Sequence, residues 1–307
     1  MSFFKYIKAV ATGPKSNRDL TQEEIGEAIE QILENQCEPE QAAAFLMCLR
    51  VKLESDDELK GCYKAFDKYI KRVDIFESVE LGFSYDGKTD QPFLFPLYGH
   101  ILKKLFEQNS DVKPFDIVIS GDFAQPAKKG LTLKHLVTSI KLSENIKYFD
   151  RSDYFEELSQ LTDLRKKLFM RSIFNTVEKL LNPANSKYAI TSAFHKPYVK
   201  KYFDLFGENY SKMVILKGSE GNPEVFSDFK YWEKIEGDII EKSVSLADFG
   251  IEYSKEYENI TIEENIEILN NPSVGIMQLA KLNAAILLFS TKRVASIEEG
   301  YCLLENI

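Results

Sequence analysis

Residues 165–183 read RKKLFMRSIFNTVEKLLNP. With Leu164 before them, the opening letters place Arg165, Lys166, Lys167 and Arg171 within two helical turns, and Lys196, Lys200 and Lys201 follow a short distance on. This is the most basic part of an acidic chain of net charge -9. A cationic strip with Phe169, Phe174, Tyr198 and Tyr202 nearby suits a nucleic-acid backbone, where lysine and arginine displace counterions and rings accept bases. The same letters suit amphipathic helices whose charged face is simply solvated. The negative overall charge excludes a protein that coats nucleic acid with its whole surface, but not one with a local basic groove.

Upstream of this stretch the chain is helical. Thr21 and Glu24 form the T-x-x-E of a capping box, and Ile25, Ala28, Ile29, Ile32 and Leu33 then share one helical face. A second helix is expected after Pro39, with Ala42, Phe45, Leu46 and Leu49 as its apolar stripe. Ser55 and Glu58 open a third, containing Leu59, Tyr63 and Phe66. These stripes are core-forming. From about residue 74, β-rich runs at 79–83, 115–120, 189–192 and 213–217 alternate with helical stretches at 95–108, 134–140 and 199–206. Strands separated by helix-length segments predict an α/β fold with a mainly parallel sheet, whose ligands sit in the loops after the strands. A further helix is expected around 271–289, and Ser296 with Glu299 caps the last one. At 307 residues, one two-part protein is the natural organisation.

Other chemistries find little footing. The four cysteines lack C-x-x-C spacing and read as buried free thiols, and three scattered histidines make a zinc site improbable. His100, His135 and His195 are read as structural or surface residues. No apolar run approaches the length of a membrane span and no leader is evident at the N-terminus, so no membrane association and a cytoplasmic location are expected.

The stretch 165–183 also resembles the hinge signature of the anthranilate phosphoribosyltransferases and their relatives in glycosyltransferase family 3, R-x-x-L-G-x-R-T-x-F-N-x-L-G-P-L-x-N-P. Arg165, Leu168, Arg171, Phe174, Asn175, Asn182 and Pro183 fall on that pattern. AAAFLMCLRVKLES (residues 42–55) is similar to the family's A-F-L-M-A-L-R-x-K-G-E-T, and Leu282-Asn283-Ala284-Ala285 to its terminal L-N-A-A. The resemblance implies the nucleoside phosphorylase-like phosphoribosyltransferase fold: a small helical domain (1–73, joined by an insertion at about 150–185) and a larger α/β domain (74–149 and 186–307). It implies transfer of a phosphoribosyl group from a phosphorylated ribose donor such as phosphoribosyl pyrophosphate (PRPP), Mg²⁺ as cofactor, and a homodimer. The acceptor is left open.

The resemblance further places the site residues, and here the chain departs from the pattern. The loop after the first strand, GFSYDGKTDQPF, keeps Asp86 and Gly87 but puts Ser84 and Tyr85 where the family has glycines; Lys88 adds a positive charge. After the next strand, Gly121 and Gly130 are kept, Ser120, Asp122 and Phe123 stand in place of a His, an Asn and an Arg, and Lys128 and Lys129 replace a serine pair. Asp86, Gly87, Lys88, Ser120, Gly121, Lys128 and Lys129 are thus the expected donor phosphate ligands. Arg165 matches the arginine that meets the acceptor's carboxylate, a bidentate role suited to a guanidinium. Glu220 and Glu224 are the expected metal ligands, with Pro223 where the family has an aspartate. In the alternative reading, a non-enzymatic relative, Arg165, Lys166, Lys167, Arg171, Lys200 and Lys201 hold nucleic acid.

Overall fold

The computed structural model describes residues 3–123, 125 and 130–307. Seven strands, β1 (Ser78–Gly82), β2 (Asp116–Gly121), β3 (Ile146–Asp150), β4 (Tyr188–Ser192), β5 (Lys212–Leu216), β6 (Phe229–Ile235) and β7 (Asp238–Val244), form one sheet. Their order is β3-β2-β1-β4-β5-β6-β7. The first five are parallel and the last two complete the sheet antiparallel. Four of these strands are predicted by the sequence pattern, and β3, β6 and β7 are additions. Edge position explains two of them: β3 buries one residue fully and β7 buries only its last, so neither carries a strong apolar signal.

The N-terminal helices are α1 (Phe4–Ala11), α2 (Gln22–Leu33), α3 (Pro39–Lys52) and α4 (Asp56–Asp67). Thr21 and Ser55 form the expected capping boxes, and Pro39 occupies the first turn of α3, where its missing N–H costs nothing. α5 (Phe95–Gln108) and α6 (Leu133–Val137) follow strands β1 and β2. Four short helices, α7 (Arg151–Tyr154), α8 (Glu156–Gln160), α9 (Thr162–Leu168) and α10 (Ile173–Val177), then lead to β4. α11 (Pro197–Phe206), α12 (Ile262–Asn270), α13 (Val274–Ser290) and α14 (Ile297–Leu304) complete the chain. Among the described residues, no single helix is long and apolar enough to cross a membrane.

Two cores form because successive strand residues face opposite sides of the sheet. Along β5, Val214 and Leu216 join the core beneath α5 and α13, whereas Met213 and Ile215 join the core of the N-terminal helices. The short helices contribute to this second core: Phe155 and Phe174 lie 5.0 and 5.3 Å from Phe66, ring centre to ring centre. The chain between β3 and β4 therefore clamps the helical bundle to one face of the sheet.

On that face lies Glu80, fully buried, accepting hydrogen bonds from the Asn182 N–H and the Tyr210 hydroxyl. Burial pushes its carboxyl from 4.5 up to about 7, against the pull of these donors. In that window the native state binds more protons than the unfolded chain, so the contribution is full below pH 4.5 and is lost as pH rises through 7. The shift corresponds to roughly 3 kcal/mol. Urea midpoints at pH 5 and pH 8 are expected to fall for the wild type and to fall much less for Glu80→Gln; parallel falls in both would rule out Glu80 as the source.

Candidate functional site

The strand order reverses between β1 and β4, and in parallel sheets such a switch point opens a crevice beyond the carboxyl ends of the strands. A cleft of about 430 Å³ lies there. Ser84 and Tyr85 enter it from the loop after β1, Ser192, Phe194 and His195 from β4 and its loop, and Glu220 and Gly221 from the loop after β5. Arg50 of α3, Asn175 and Thr176 of α10, and Tyr198 and Tyr202 of α11 close it from the helical side. The cleft is thus shared between the sheet and the bundle.

Its cations are Arg50, Arg171 and Lys179. Lys179 is nine-tenths buried and donates to the carbonyls of Ser192 (2.7 Å) and Gly221 (2.9 Å). Burial pulls its ammonium down to about 8, which Asp86 opposes and Arg171 reinforces. Arg171 is half exposed and pairs with the buried Asp86, whose other oxygen accepts from Ser84. Tyr85, where the family has a glycine, is buried under the Arg151 guanidinium at 4.4 Å, and its hydroxyl meets Ser120 and Tyr154. Burial raises its phenol to about 12, so it stays neutral.

Arg165 is buried and does not line the cleft. Both ends of its fork bind Glu178, at 2.7 and 2.8 Å. Arg151 adds a bond to the same carboxylate at 2.5 Å and binds Asp122 through Nε at 2.8 Å. Four buried charges therefore neutralise one another at the cleft wall, Glu178 in its lining and Arg151, Arg165 and Asp122 behind it. As folded, Arg165 is neither open to an acceptor carboxylate nor on a surface where nucleic acid would touch it.

The expected phosphate and metal ligands are likewise engaged with one another. Gly87 adopts φ +83, and a Cβ there would lie 2.6 Å from the backbone of Gly130. This close approach lets Lys88 and Leu131 exchange backbone hydrogen bonds at 2.9 and 2.8 Å, sealing the two loops together. Lys88 is fully buried; its ammonium meets Glu224 and the Pro92 carbonyl, both at 2.7 Å, between the rings of Phe93 and Phe226. Lys88 and Glu224 thus satisfy each other rather than a phosphate and a metal. Glu220, at φ +53, accepts from the N–H groups of Thr89, Asp90 and Gln91 and so ties the β5 loop to the β1 loop. Glu220 and Glu224 are thus engaged within the protein, and among the described residues no group of three or more His, Cys, Asp or Glu side chains is placed to hold a metal. Ser120 and Gly121 are buried beside Tyr85 and Tyr148, outside the cleft. Lys128 and Lys129 lie outside the described residues.

Of the cationic strip, Lys166 and Lys167 are exposed. Lys200 pairs with Asp204, Lys196 with Glu241 at 2.7 Å, and Lys201 lies 4.0 Å from Asp56. Most of its positive charge is therefore answered locally.

Arg50, Lys179 and His195 are site residues that the sequence reading passes over. For Lys179 a signal exists: Glu178 and Lys179 stand where the hinge pattern has Gly-Pro, so two charges replace the two least chemical residues of the motif. His195 has no such signal, since a histidine after a strand is common on any surface.

A model of the glycosyl transferase family's helical bundle domain matches residues 4–69, and one of its a/b domain matches residues 141–307. The chain belongs to the glycosyl transferase family. Among its family relatives, an uncharacterized protein of Aquifex aeolicus is 32% identical over 94% of this chain and 93% of its own length. The anthranilate phosphoribosyltransferase of Petrotoga mobilis is 27% identical, covering 99% and 92% respectively. Two solved anthranilate phosphoribosyltransferases share the fold. The Thermus thermophilus enzyme has a TM-score of 0.76 at 14% identity, over 99% of this chain and 93% of that one. The Saccharomyces cerevisiae enzyme, in complex with PRPP and Mg, has a TM-score of 0.78 at 16% identity, over 99% and 92%. The family fold, a helical domain beside an α/β domain with a mostly parallel sheet, is what the structure displays.

Proposed function

We propose that the cleft binds a phosphorylated ribose donor and that the protein transfers its pentosyl group to an acceptor. The observation that carries this is the gathering of Arg50, Arg171 and Lys179, with the hydroxyls of Ser84, Ser172 and Ser192, at the switch point of the sheet. In such a transfer the bond from the anomeric carbon to the diphosphate breaks while the acceptor's nucleophile bonds to that carbon. Fixed cations that meet the departing diphosphate lower the barrier, because negative charge grows on it in the transition state. Lys179 suits this role: its carbonyl partners hold it in place without neutralising it. The relatives named as anthranilate phosphoribosyltransferases support the donor class. The self-compensated lysine strip supports a nucleic-acid reading less.

The test is thermal unfolding with PRPP, since a ligand that binds the native state alone raises its stability by mass action. An upward shift is expected with magnesium and with a chelator, because Glu220 and Glu224 already have partners within the protein. Lys179→Met is expected to weaken binding about 10- to 100-fold, the worth of one charge-assisted contact. Above pH 8 the free protein loses the Lys179 proton, so affinity is expected to fall by about tenfold per pH unit. No shift at millimolar PRPP would refute the donor site.

A further inference from the structure

We propose that Glu178 is the residue that decides which acceptors the cleft takes: it fills the guanidinium fork of Arg165 and closes the cleft to ligands that bind through a carboxylate. This deepens the pentosyl-transfer reading and rests on the cleft being its ligand site. Glu178 lines the cleft, while Arg165, buried to 1% exposure, does not. Glu178 is itself only 2% exposed, so the pair forms a sealed part of the cleft wall in which Glu178 is the member that reaches the lining. It takes the side-by-side geometry that a ligand carboxylate would take, with one oxygen on each terminal nitrogen.

The remaining charges leave Arg165 no substitute. Asp122, the other buried anion of the cluster, is bound to Arg151 and Ser159. The Arg165 Nε, also buried, has no hydrogen-bond partner among the described residues. The cluster holds two guanidinia and two carboxylates, so removing Glu178 leaves one net positive charge out of water beside a cleft. A small aromatic carboxylate is sized and charged to supply the missing anion. With Glu178 in place the same ligand meets a filled fork and a repelling carboxylate. Acceptors of the native protein are then compounds without a carboxylate at that position.

The experiment compares wild type with Glu178→Ala in thermal unfolding with benzoate, anthranilate and the neutral isostere benzamide. Both carboxylates are expected to raise the midpoint of Glu178→Ala, by roughly 4 °C at about 100 times the dissociation constant, and to leave wild type unmoved. Benzamide is expected to move neither. Equal rescue by benzamide would reduce the effect to cavity filling and overturn the proposal, as would no rescue by either carboxylate at millimolar concentration. If Glu178→Ala is recovered unfolded, refolding yield with benzoate against benzamide gives the same reading. Wild type is titrated with anthranilate independently: sub-millimolar binding would overturn the proposal whatever the variant does. A parallel PRPP titration separates the two readings. A PRPP shift without carboxylate rescue leaves the donor site standing and removes the role of Glu178. Rescue without a PRPP shift keeps the gate and removes the donor.

Discussion

Replacing Lys88 with methionine is expected to lower stability by about 3–5 kcal/mol, the usual consequence of removing one partner from a buried ion pair. Methionine keeps most of the apolar stem but not the ammonium that faces the Phe93 and Phe226 rings, so the loss reports the charge together with its ring contacts. Glu224 is left fully buried, with the Leu94 N–H 2.9 Å away and the buried Tyr98 phenol beside it. The double variant Lys88→Met, Glu224→Gln removes both charges and should recover most of the loss. Chemical denaturation of the four proteins gives the coupling directly. If instead Lys88 met a phosphate and Glu224 a metal in solution, each single variant would unfold nearly as wild type does while losing ligand affinity.

Arg165→Met is the second large effect, expected at about 3 kcal/mol. It sits at the lower end because Glu178 keeps its bond to Arg151, so the remaining carboxylate is not stranded. The resemblance alone would make Arg165 an acceptor contact, whose removal changes binding and not stability. The buried bidentate pair with Glu178 requires the opposite. Denaturation midpoints decide: a loss below about 1 kcal/mol would mean that the fork is open in solution.

Local rules made much of the fold legible. The T-x-x-E and S-x-x-E boxes satisfy helix-end N–H groups with side chains a few residues away, so Thr21 and Ser55 announce α2 and α4 whatever surrounds them. The central strands β1 and β4 are buried along their whole length, and Val79, Leu81, Ile190 and Thr191 mark them by their strand propensity. β7 is mostly exposed, and its pairing with β6 comes from backbone groups that every residue carries, which leaves little trace in composition. At the site, the hinge letters announced a family but not a partner list. Lys88 in D-G-K looks like a loop cation until Glu224, 136 residues away, is brought to 2.7 Å.

Sequence by itself determined the capped helices, the central strands, the two-part organisation and the family, because helix caps, apolar periodicity and motif spacing are properties of neighbours along the chain. Tertiary structure alone decided which charges remain for a ligand. Whether a lysine or an arginine is available depends on the carboxylate that folding places against it and on how much water is left to screen the pair. In this protein folding consumed Lys88, Arg151 and Arg165 internally, left Lys179 and Arg50 at the cleft, and placed Arg171 there paired with Asp86.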